Sequence, residues 1–559
     1  MAPSSPYPGP LRRLVLAFDV GTTFSGIAYT FLDPGEVPNI YAVTRYPGQE
    51  NSGFKIPSIL YYTPNGKVHA AGAEAALPSM RLEAEDEDLF FVEWFKLHLR
   101  PTSMITGMQR EALPELPPGK TVIDVFGDFL KYLFSCARRF ITQTHANGES
   151  LWGSVDSRID FIFGHPNGWE GLQQSKMRQA AVAAELIPDT PAGHARVHFV
   201  TEGEASLHYC LDGGLASDVI KNDLGILQGS TRVNVRAKEY FKEKLRESPF
   251  GNDEDIRAMV EHFEQSTKPI FKDPQERSYV KFGSMRDKDP SVGIRGGQLQ
   301  LSGKEVESLF EPSVVSIMEA VRRQCEFLTG DNPPAAFLVG GFGASPWLFA
   351  RLEAALRTQQ IRLCRPDHHT NKAVAEGAAS YYIQQFVASR IAKYTYGTEV
   401  IVDYNEENPE HHLRRGRVRT RPSGRKFVPE GFQVVLSKGS RMRENEKATI
   451  SLYVESPDTQ RLDRIICDVI CYRGKLRDPR WVDLEPEMFA SLCTVYANTS
   501  AVTKVKQYGI NGSAFYTQNF KLVLLCGLTE TKAQLSWIEN GEEKESPAEI
   551  VYDDDALTA

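Results

Sequence analysis

The chain has 559 residues, of which 41% are hydrophobic and 24% are charged, and its formal net charge is −8. This mix is close to that of soluble globular proteins, and the length indicates about three to four domains, or two large lobes with an appendage. The negative charge argues against a general binder of nucleic acid or of membrane surfaces, because both reward a basic face. No apolar run is long enough to span a membrane.

The N-terminus and the cysteines indicate the compartment. Residues 1–11 are rich in Pro, Ser and Gly, and we expect them to be disordered. The apolar run after Arg12 and Arg13 is too short for a signal peptide, and it ends at Asp19 without a small-residue cleavage site. The eight cysteines are scattered and form no CxxC pair, which disfavours zinc and fits a reducing compartment. We therefore expect a cytoplasmic protein, with the nucleus as the alternative.

The first informative stretch is residues 14–29. An apolar run ends in Asp19, and Gly21, Thr22 and Thr23 separate it from a second apolar run, which predicts a buried strand, a tight turn and a return strand. Glycine lets the backbone approach an anion closely, and a carboxylate suits a phosphate site when a divalent cation lies between them. Two interpretations stay open, namely a metal–nucleotide site and a hairpin whose polar residues only cap the turn.

The next segments predict more strands and one ambiguous lysine. Residues 56–62 are expected to form a strand, with a return strand over residues 67–70 after an Asn-Gly turn. Lys96 lies in the aromatic segment that follows, residues 90–97. Its stem either packs there while the ammonium reaches solvent, or its charge faces a phosphate.

The middle of the chain alternates helices and strands, which is typical of an α/β fold. The apolar residues of segment 122–144 fall on one face and predict a long amphipathic helix. The later elements are expected in this order: strand 159–164, helix 171–187, strand 197–200, a short helix from 202, helices 233–247, 253–265 and 303–328, and strand 335–339.

Strand 335–339 leads into a glycine-rich turn and then a helix. Gly340, Gly341 and Gly343 in that turn would let backbone N–H groups approach a nucleotide, although close packing also requires glycine at such a turn. Residues 371–379 are small and predict a helix that packs closely against a neighbouring helix or at a hinge. Beyond residue 391 the pattern changes to short β-like runs, at residues 399–402, 433–436, 448–454, 465–471, 520–525 and 533–538.

Several motifs in this order resemble the DnaK-like heat-shock chaperones and their divergent animal and fungal relatives, which are actin-like ATPases. Residues 19–26 resemble the first phosphate loop, and Lys96 resembles the catalytic lysine. Residues 202–205 and 371–379 resemble the two connections between the lobes, and residues 339–343 resemble the adenosine motif.

This resemblance implies an α/β fold. A two-lobed actin-like ATPase domain would cover residues 12–390, with the nucleotide at the base of a cleft. A β-rich C-terminal domain would cover residues 391–559, after the disordered residues 1–11. The implied cofactors are ATP and Mg2+.

The resemblance also implies roles for particular residues. Asp19 would hold the metal through water, Lys96 would steady the γ-phosphate, and Glu202 would face the metal-bound water. Such a mechanism is mostly positioning and charge stabilisation. The remaining nucleotide contacts would be Gly21, Thr22, Thr23, Glu243, Arg246, Gly340, Gly341 and Gly343.

The sequence departs from the family at the second phosphate loop, Asp-x-Gly-Gly-Gly-Thr, which opens the second lobe. That motif is absent between Glu202 and Gly340, and residues 211–215 are only a partial imitation. We infer that several central strands of the second lobe are missing. Ala344 also stands where the family often has an arginine that stacks on adenine.

The sequence therefore predicts a heat-shock-like, ATP-binding protein whose hydrolysis is impaired. The alternatives are a nucleotide-independent pseudo-ATPase scaffold or interaction protein, and a truncated isoform or faulty gene model of an active ATPase. A sugar kinase of the same superfold would need a catalytic aspartate in a sugar site, and no segment offers that context. The expected partners are ATP or ADP and a protein or peptide client of the C-terminal region, without nucleic acid or membrane.

Overall fold

A computed structural model describes the chain except for residues 1–5, 50–51, 102–112, 168, 170, 213–229, 326–334, 367–369, 385–388, 393, 444–445, 527–530, 548 and 551–559. The partial loop motif at residues 213–215 and the predicted helix end at 326–328 thus fall outside the described residues. Contacts divide the chain into two compact units that part between Gln384 and Gln385, except that Leu99–Ala112 and Trp169–Gln179 group with the later residues. The proposed domain boundaries stay predictions.

The first part of the chain is mostly short strands. These are β1 (Arg13–Asp19), β2 (Phe24–Leu32), β3 (Ile40–Ala42), β4 (Ile56–Pro57), β5 (Leu60–Tyr62), β6 (Val68–Ala71) and β7 (Phe90–Val92), with helices α1 (Gly72–Ala75) and α2 (Pro78–Asp86). The predicted opening hairpin is confirmed, since β1 and β2 pair antiparallel with Asp19 opposite Gly26.

The prediction of one strand over residues 56–62 is wrong. The segment divides into β4, which pairs with β2, and β5, which pairs with β6 and β7 in another sheet. Pro57 has no amide hydrogen to donate to a ladder, and the Ser58 N–H donates to the Thr23 carbonyl at 2.8 Å. The chain therefore leaves the first sheet at this point.

A parallel core forms between residues 113 and 212. The elements there are α3 (Val122–Thr144), α4 (Gly148–Val155), β8 (Ile159–His165), α5 (Leu172–Ala183), α6 (Pro191–His194), β9 (Val197–Thr201) and α7 (Glu202–Asp212). β8 pairs parallel with both β1 and β9, and every residue of β8 is buried. The predicted helix 122–144 is confirmed, and it begins after Thr121, whose side chain accepts from the Asp124 N–H in a capping box.

The part from residue 230 to residue 384 is mainly helical. Its elements are α8 (Ser230–Lys244), α9 (Asp253–His262), a π-helical turn (Phe263–Thr267), α10 (Lys268–Ile270), β10 (Ser278–Lys281), β11 (Ile294–Arg295), β12 (Gln298–Leu301), α11 (Gly303–Cys325), β13 (Ala335–Phe337), α12 (Gly340–Gly343), α13 (Pro346–Arg357), β14 (Arg362–Cys364) and α14 (Ala373–Gln384). Phe241, Phe310 and Trp347 lie in one core there. In the described residues β13 pairs only with β14, in parallel.

The predicted close packing of the small-residue helix is confirmed. A Cβ added to Gly377 of α14 would lie 1.8 Å from the carbonyl oxygen of Ala205 in α7. Only glycine allows two backbones to approach this closely, so the crossing of α7 and α14 depends on the hydrogen atom at this position.

The part after Gln385 is rich in strands. The elements are β15 (Ser389–Ile391), β16 (Thr395–Asp403), α15 (Pro409–Leu413), β17 (Arg419–Thr420), β18 (Lys426–Leu436), β19 (Arg441–Arg443), β20 (Lys447–Ser456), β21 (Arg464–Tyr472), β22 (Phe489–Asn498), β23 (Val505–Tyr508), β24 (Ala514–Cys526), β25 (Thr531–Glu539), β26 (Glu542–Glu545) and β27 (Glu549–Ile550).

Two sheets in this part share one core. The first has the order β17-β18-β16-β21-β22, and the second has β20-β24-β25-β26, with β23 and β27 paired beside it. Val469 and Val495 of the first sheet pack in the same cluster as Leu522 and Leu535 of the second, as expected for sheets packed face to face. Among the described helices, none is long and apolar enough to cross a membrane.

Gly377→Ala is expected to destabilise the protein by about 2–4 kcal/mol, because the methyl group would overlap the Ala205 carbonyl and force the helices apart. Gly153→Ala in α4 is the matched control, since no atom of the described residues lies within 4 Å of its added Cβ. The control should keep or raise the stability, because alanine favours a helix by up to about 1 kcal/mol. Urea unfolding followed by circular dichroism measures both changes, and equal values would contradict the close crossing.

Candidate functional site

The turn between β1 and β2 is held tightly by its own polar groups. A Cβ at Gly21 would lie 2.2 Å from the Phe24 carbonyl oxygen, so no larger residue fits. The Gly21 N–H donates to Ser25 Oγ at 3.2 Å, and Ser25 Oγ lies 2.7 Å from Ser58 Oγ in a buried pair. The Gly21 amide is thus used inside the turn, and any anion would meet the side of the turn formed by the next residues, Thr22 and Thr23.

Asp19 ends β1 and is paired with a lysine that the sequence did not single out. The Lys55 ammonium donates to Asp19 Oδ2 at 2.7 Å. The Asp19 side chain is only 3% exposed, and that of Lys55 is 21% exposed. A charged hydrogen bond of this length in a shielded place is strong, so the carboxylate is neutralised by the protein itself.

The structure brings Lys96 and Glu202 together, two residues to which the resemblance assigns separate catalytic roles. Lys96 Nζ donates to Glu202 Oε1 at 2.6 Å. Lys96 lies in a 3-10 turn (Phe95–Leu99) and is buried, whereas the Glu202 side chain at the start of α7 is 35% exposed. The buried ammonium excludes the interpretation of Lys96 as a lysine whose charge reaches solvent.

Thr22 and Thr23 face a cavity of about 1030 Å3. Its opposite wall is formed by α8, α9 and the following turn, and Arg81 of α2 pairs with Glu261 of α9 at 2.6 Å. Asp19, Lys96 and Glu202 are not among the described residues that line it. Its charged lining consists of four basic and five acidic side chains: Arg81, Lys238, Lys242, Arg257, Glu85, Glu93, Asp253, Glu261 and Glu264.

Glu93 is an acidic group of this cavity whose pKa the surroundings raise. Burial raises the pKa of Glu93 above its ordinary value of 4.5, and the negative charge of Glu264 adds to the rise. Lys238 and Arg257 oppose it without cancelling it. The ionised form of Glu93 is therefore disfavoured in this cavity.

The glycine-rich turn after β13 has open space above its backbone. At Gly340, where φ is +83°, and at Gly341, no atom of the described residues lies within 4 Å of an added Cβ. The positive φ favours glycine at position 340, and close packing against the described residues does not explain Gly341. At Gly343 an added Cβ would lie 3.1 Å from the Leu338 side chain, so packing explains that residue.

Glu243 and Arg246 form an ion pair with each other, and about two thirds of each side chain is exposed. Arg246 lies beyond the end of α8 at Lys244, so the predicted helix 233–247 is too long at this end. Neither residue is among the described residues that line the cavity with Thr22 and Thr23. Their role as adenosine contacts stays a prediction.

The positions of the glycines, the threonines and Asp19 show how far the candidate site suits Mg-ATP. Thr22 and Thr23 face the cavity and can offer hydroxyl groups to a nucleotide, whereas Gly340 and Gly341 are not among the described residues that line it. The Asp19 carboxylate does not suit a divalent cation, because an ammonium group already neutralises it. Lys55 was missed because a lysine beside a strand is an ordinary surface residue in a sequence, and only the fold shows that it meets Asp19.

The raised pKa of Glu93 in the folded state makes the free energy of unfolding depend on pH. Because folding raises the pKa of Glu93, the folded protein binds more protons above pH 4.5, and this carboxyl lowers the free energy of unfolding as pH rises through the window above that value. Glu93→Gln should flatten this decline, whereas Glu353→Gln, at an exposed position of α13, should not. Urea unfolding between pH 4 and pH 7 checks it, and parallel curves for Glu93→Gln and wild type would refute the assignment.

Comparison with known proteins gives partial matches. No protein-family model matches the chain. Mouse heat shock 70 kDa protein 12A is 24% identical over 270 residues, which cover 46% of this chain and 38% of that protein. The human proteins 12A and 12B are 28% and 27% identical over 200 and 203 residues, covering 35% of this chain and 28% of each relative.

The matches span less than two fifths of the length of these curated relatives. Together with the mixed α/β architecture, they agree with an actin-like ATPase relative. The chain has a distant relationship to the 70 kDa heat-shock proteins.

Proposed function

We propose that the chain is a DnaK-like, ATP-binding protein whose ability to hydrolyse ATP is impaired. The observation that carries the proposal is the pairing of its two central charged groups with partners from the chain itself, Asp19 with Lys55 and Lys96 with Glu202. Similarity to the heat shock 70 kDa proteins 12A and 12B supports the part of the proposal that concerns nucleotide binding.

Nucleotide binding would use the parts of the site that are open. Gly341 would let a sugar or a phosphate lie against the backbone, and Thr22 and Thr23 offer hydroxyl groups. Bound ATP brings the phosphoryl chemistry, and the chain supplies binding and orientation.

Hydrolysis would suffer for two reasons. Phosphoryl transfer needs fixed positive charge around the terminal phosphate, and the Lys96 ammonium is engaged by Glu202 at 2.6 Å. The second phosphate loop, Asp-x-Gly-Gly-Gly-Thr, is also absent from the sequence between Glu202 and Gly340. The positive charge available to the terminal phosphate is therefore reduced, and the second set of phosphate contacts is missing.

The charge of the cavity favours a second candidate, a nucleotide-independent scaffold. Its charged lining has one more acidic than basic side chain, so a triphosphate gains no net attraction there. In this alternative the fold serves as a rigid support, and the strand-rich part after Gln385 binds a protein or peptide client. We place either activity in the cytoplasm or nucleus.

Titration with Mg-ATP by calorimetry separates these functions from an active ATPase. We expect binding weaker than ~100 µM and only slow residual turnover. Gly341→Val should abolish any residual binding by filling the open space, and Gly416→Val, at another open glycine, should not. Micromolar or tighter binding together with measurable turnover would overturn the proposal.

Substitution of the central charged groups should have little effect on turnover. Asp19→Asn and Lys96→Ala are each expected to change the residual ATPase rate by less than about twofold, because the groups they remove are already neutralised within the protein. A coupled assay of phosphate release measures the rate, with the unfolded protein as the blank. A loss of tenfold or more in either variant would mean that the group works in catalysis.

A further inference from the structure

The approach of Lys55 to Asp19 is built by several separate contacts. The Lys55 carbonyl accepts a hydrogen bond from Gln49 Nε2 at 2.9 Å, and the next residue, Ile56, pairs with Ser25 of β2. These two contacts, both on the carboxyl side of Lys55, fix where the lysine side chain starts.

Gly26 opens the path that the lysine stem takes. It lies directly opposite Asp19 in the pairing of β1 with β2. A Cβ added at Gly26 would lie 3.4 Å from Lys55 Cγ and 3.8 Å from Cε, so the stem passes over this glycine on its way to the carboxylate. The strand register thus aims the ammonium at Asp19 Oδ2, which it reaches at 2.7 Å.

We propose that Lys55 is an internal cation that excludes divalent metal from Asp19, so that this chain binds its nucleotide without a requirement for Mg2+. The inference rests on the proposed function of the same site. Divalent ions such as Mg2+ bind through carboxylate oxygens, and an ammonium on Asp19 both occupies one of its two oxygens, Oδ2, and repels a second positive charge. The counter-charge that the site needs comes from the chain.

Removing the ammonium should open a metal site, and Mn2+ alone is the probe. Lys55→Met keeps much of the stem and deletes the charge, so it should bind Mn2+ at least about tenfold more tightly than wild type in an electron paramagnetic resonance titration. The gain should vanish in the double variant with Asp19→Asn. Lys131→Met is the matched control, because it deletes an exposed ion pair with Glu185 and should gain no site.

One other group of described residues could bind the metal probe and must be removed before the titrations. His69, Glu83 and Glu87 lie on the surface with ligand atoms within 4.8 Å of one another. All titrations therefore use a Glu83→Gln background, and thermal unfolding by circular dichroism shows that each variant is folded. Lys55→Arg keeps the positive charge and should bind no more Mn2+ than wild type.

Two results would overturn the inference. One is Mn2+ binding by the wild-type protein that Asp19→Asn abolishes, which can be measured even if Lys55→Met does not fold. The other is a folded Lys55→Met protein without any Asp19-dependent gain. Because these titrations contain no nucleotide, they fail or succeed separately from the ATP titration that tests the proposed function.

Discussion

The parallel pairing of β1, β8 and β9 is the constraint on which the candidate site depends. Carboxyl ends of parallel strands meet at one edge of a sheet, and that edge is where such folds place their ligands. Asp19 is the last residue of β1, and Glu202 directly follows β9. The strands are buried on both faces, so a shift of register would disrupt close packing on both sides of the sheet, and the positions of the two carboxylates are fixed with it.

At that edge the chain neutralises its own charges. Two carboxylates and two lysines form close pairs, and three of the four side chains are mostly shielded from water. Removing one partner of a shielded pair leaves an uncompensated charge, which costs more than the pair contributes when it is intact. The same arrangement therefore supports the fold and leaves less free charge for a ligand.

Much of the fold could be predicted from the sequence because local patterns determine it. Helix 122–144 has an uninterrupted apolar face and a Thr121 cap, and its bounds were predicted correctly. The division between β4 and β5 was missed because it depends on partners in two different sheets. The site was predicted as a set of residues but not as pairs, since Lys55 is 36 residues from Asp19 and Lys96 is 106 residues from Glu202. A contact between residues so far apart in the sequence leaves no local pattern from which it could be predicted.

The crossing of α7 and α14 also sets how these helices can move. Their closest contact joins backbone to backbone, between Gly377 and the Ala205 carbonyl. Side chains at an ordinary interface change rotamers and let helices slide in small steps, whereas a contact without a side chain has no rotamers to change. The crossing therefore resists sliding of the two helices along each other and holds the segments that leave them in a fixed relation.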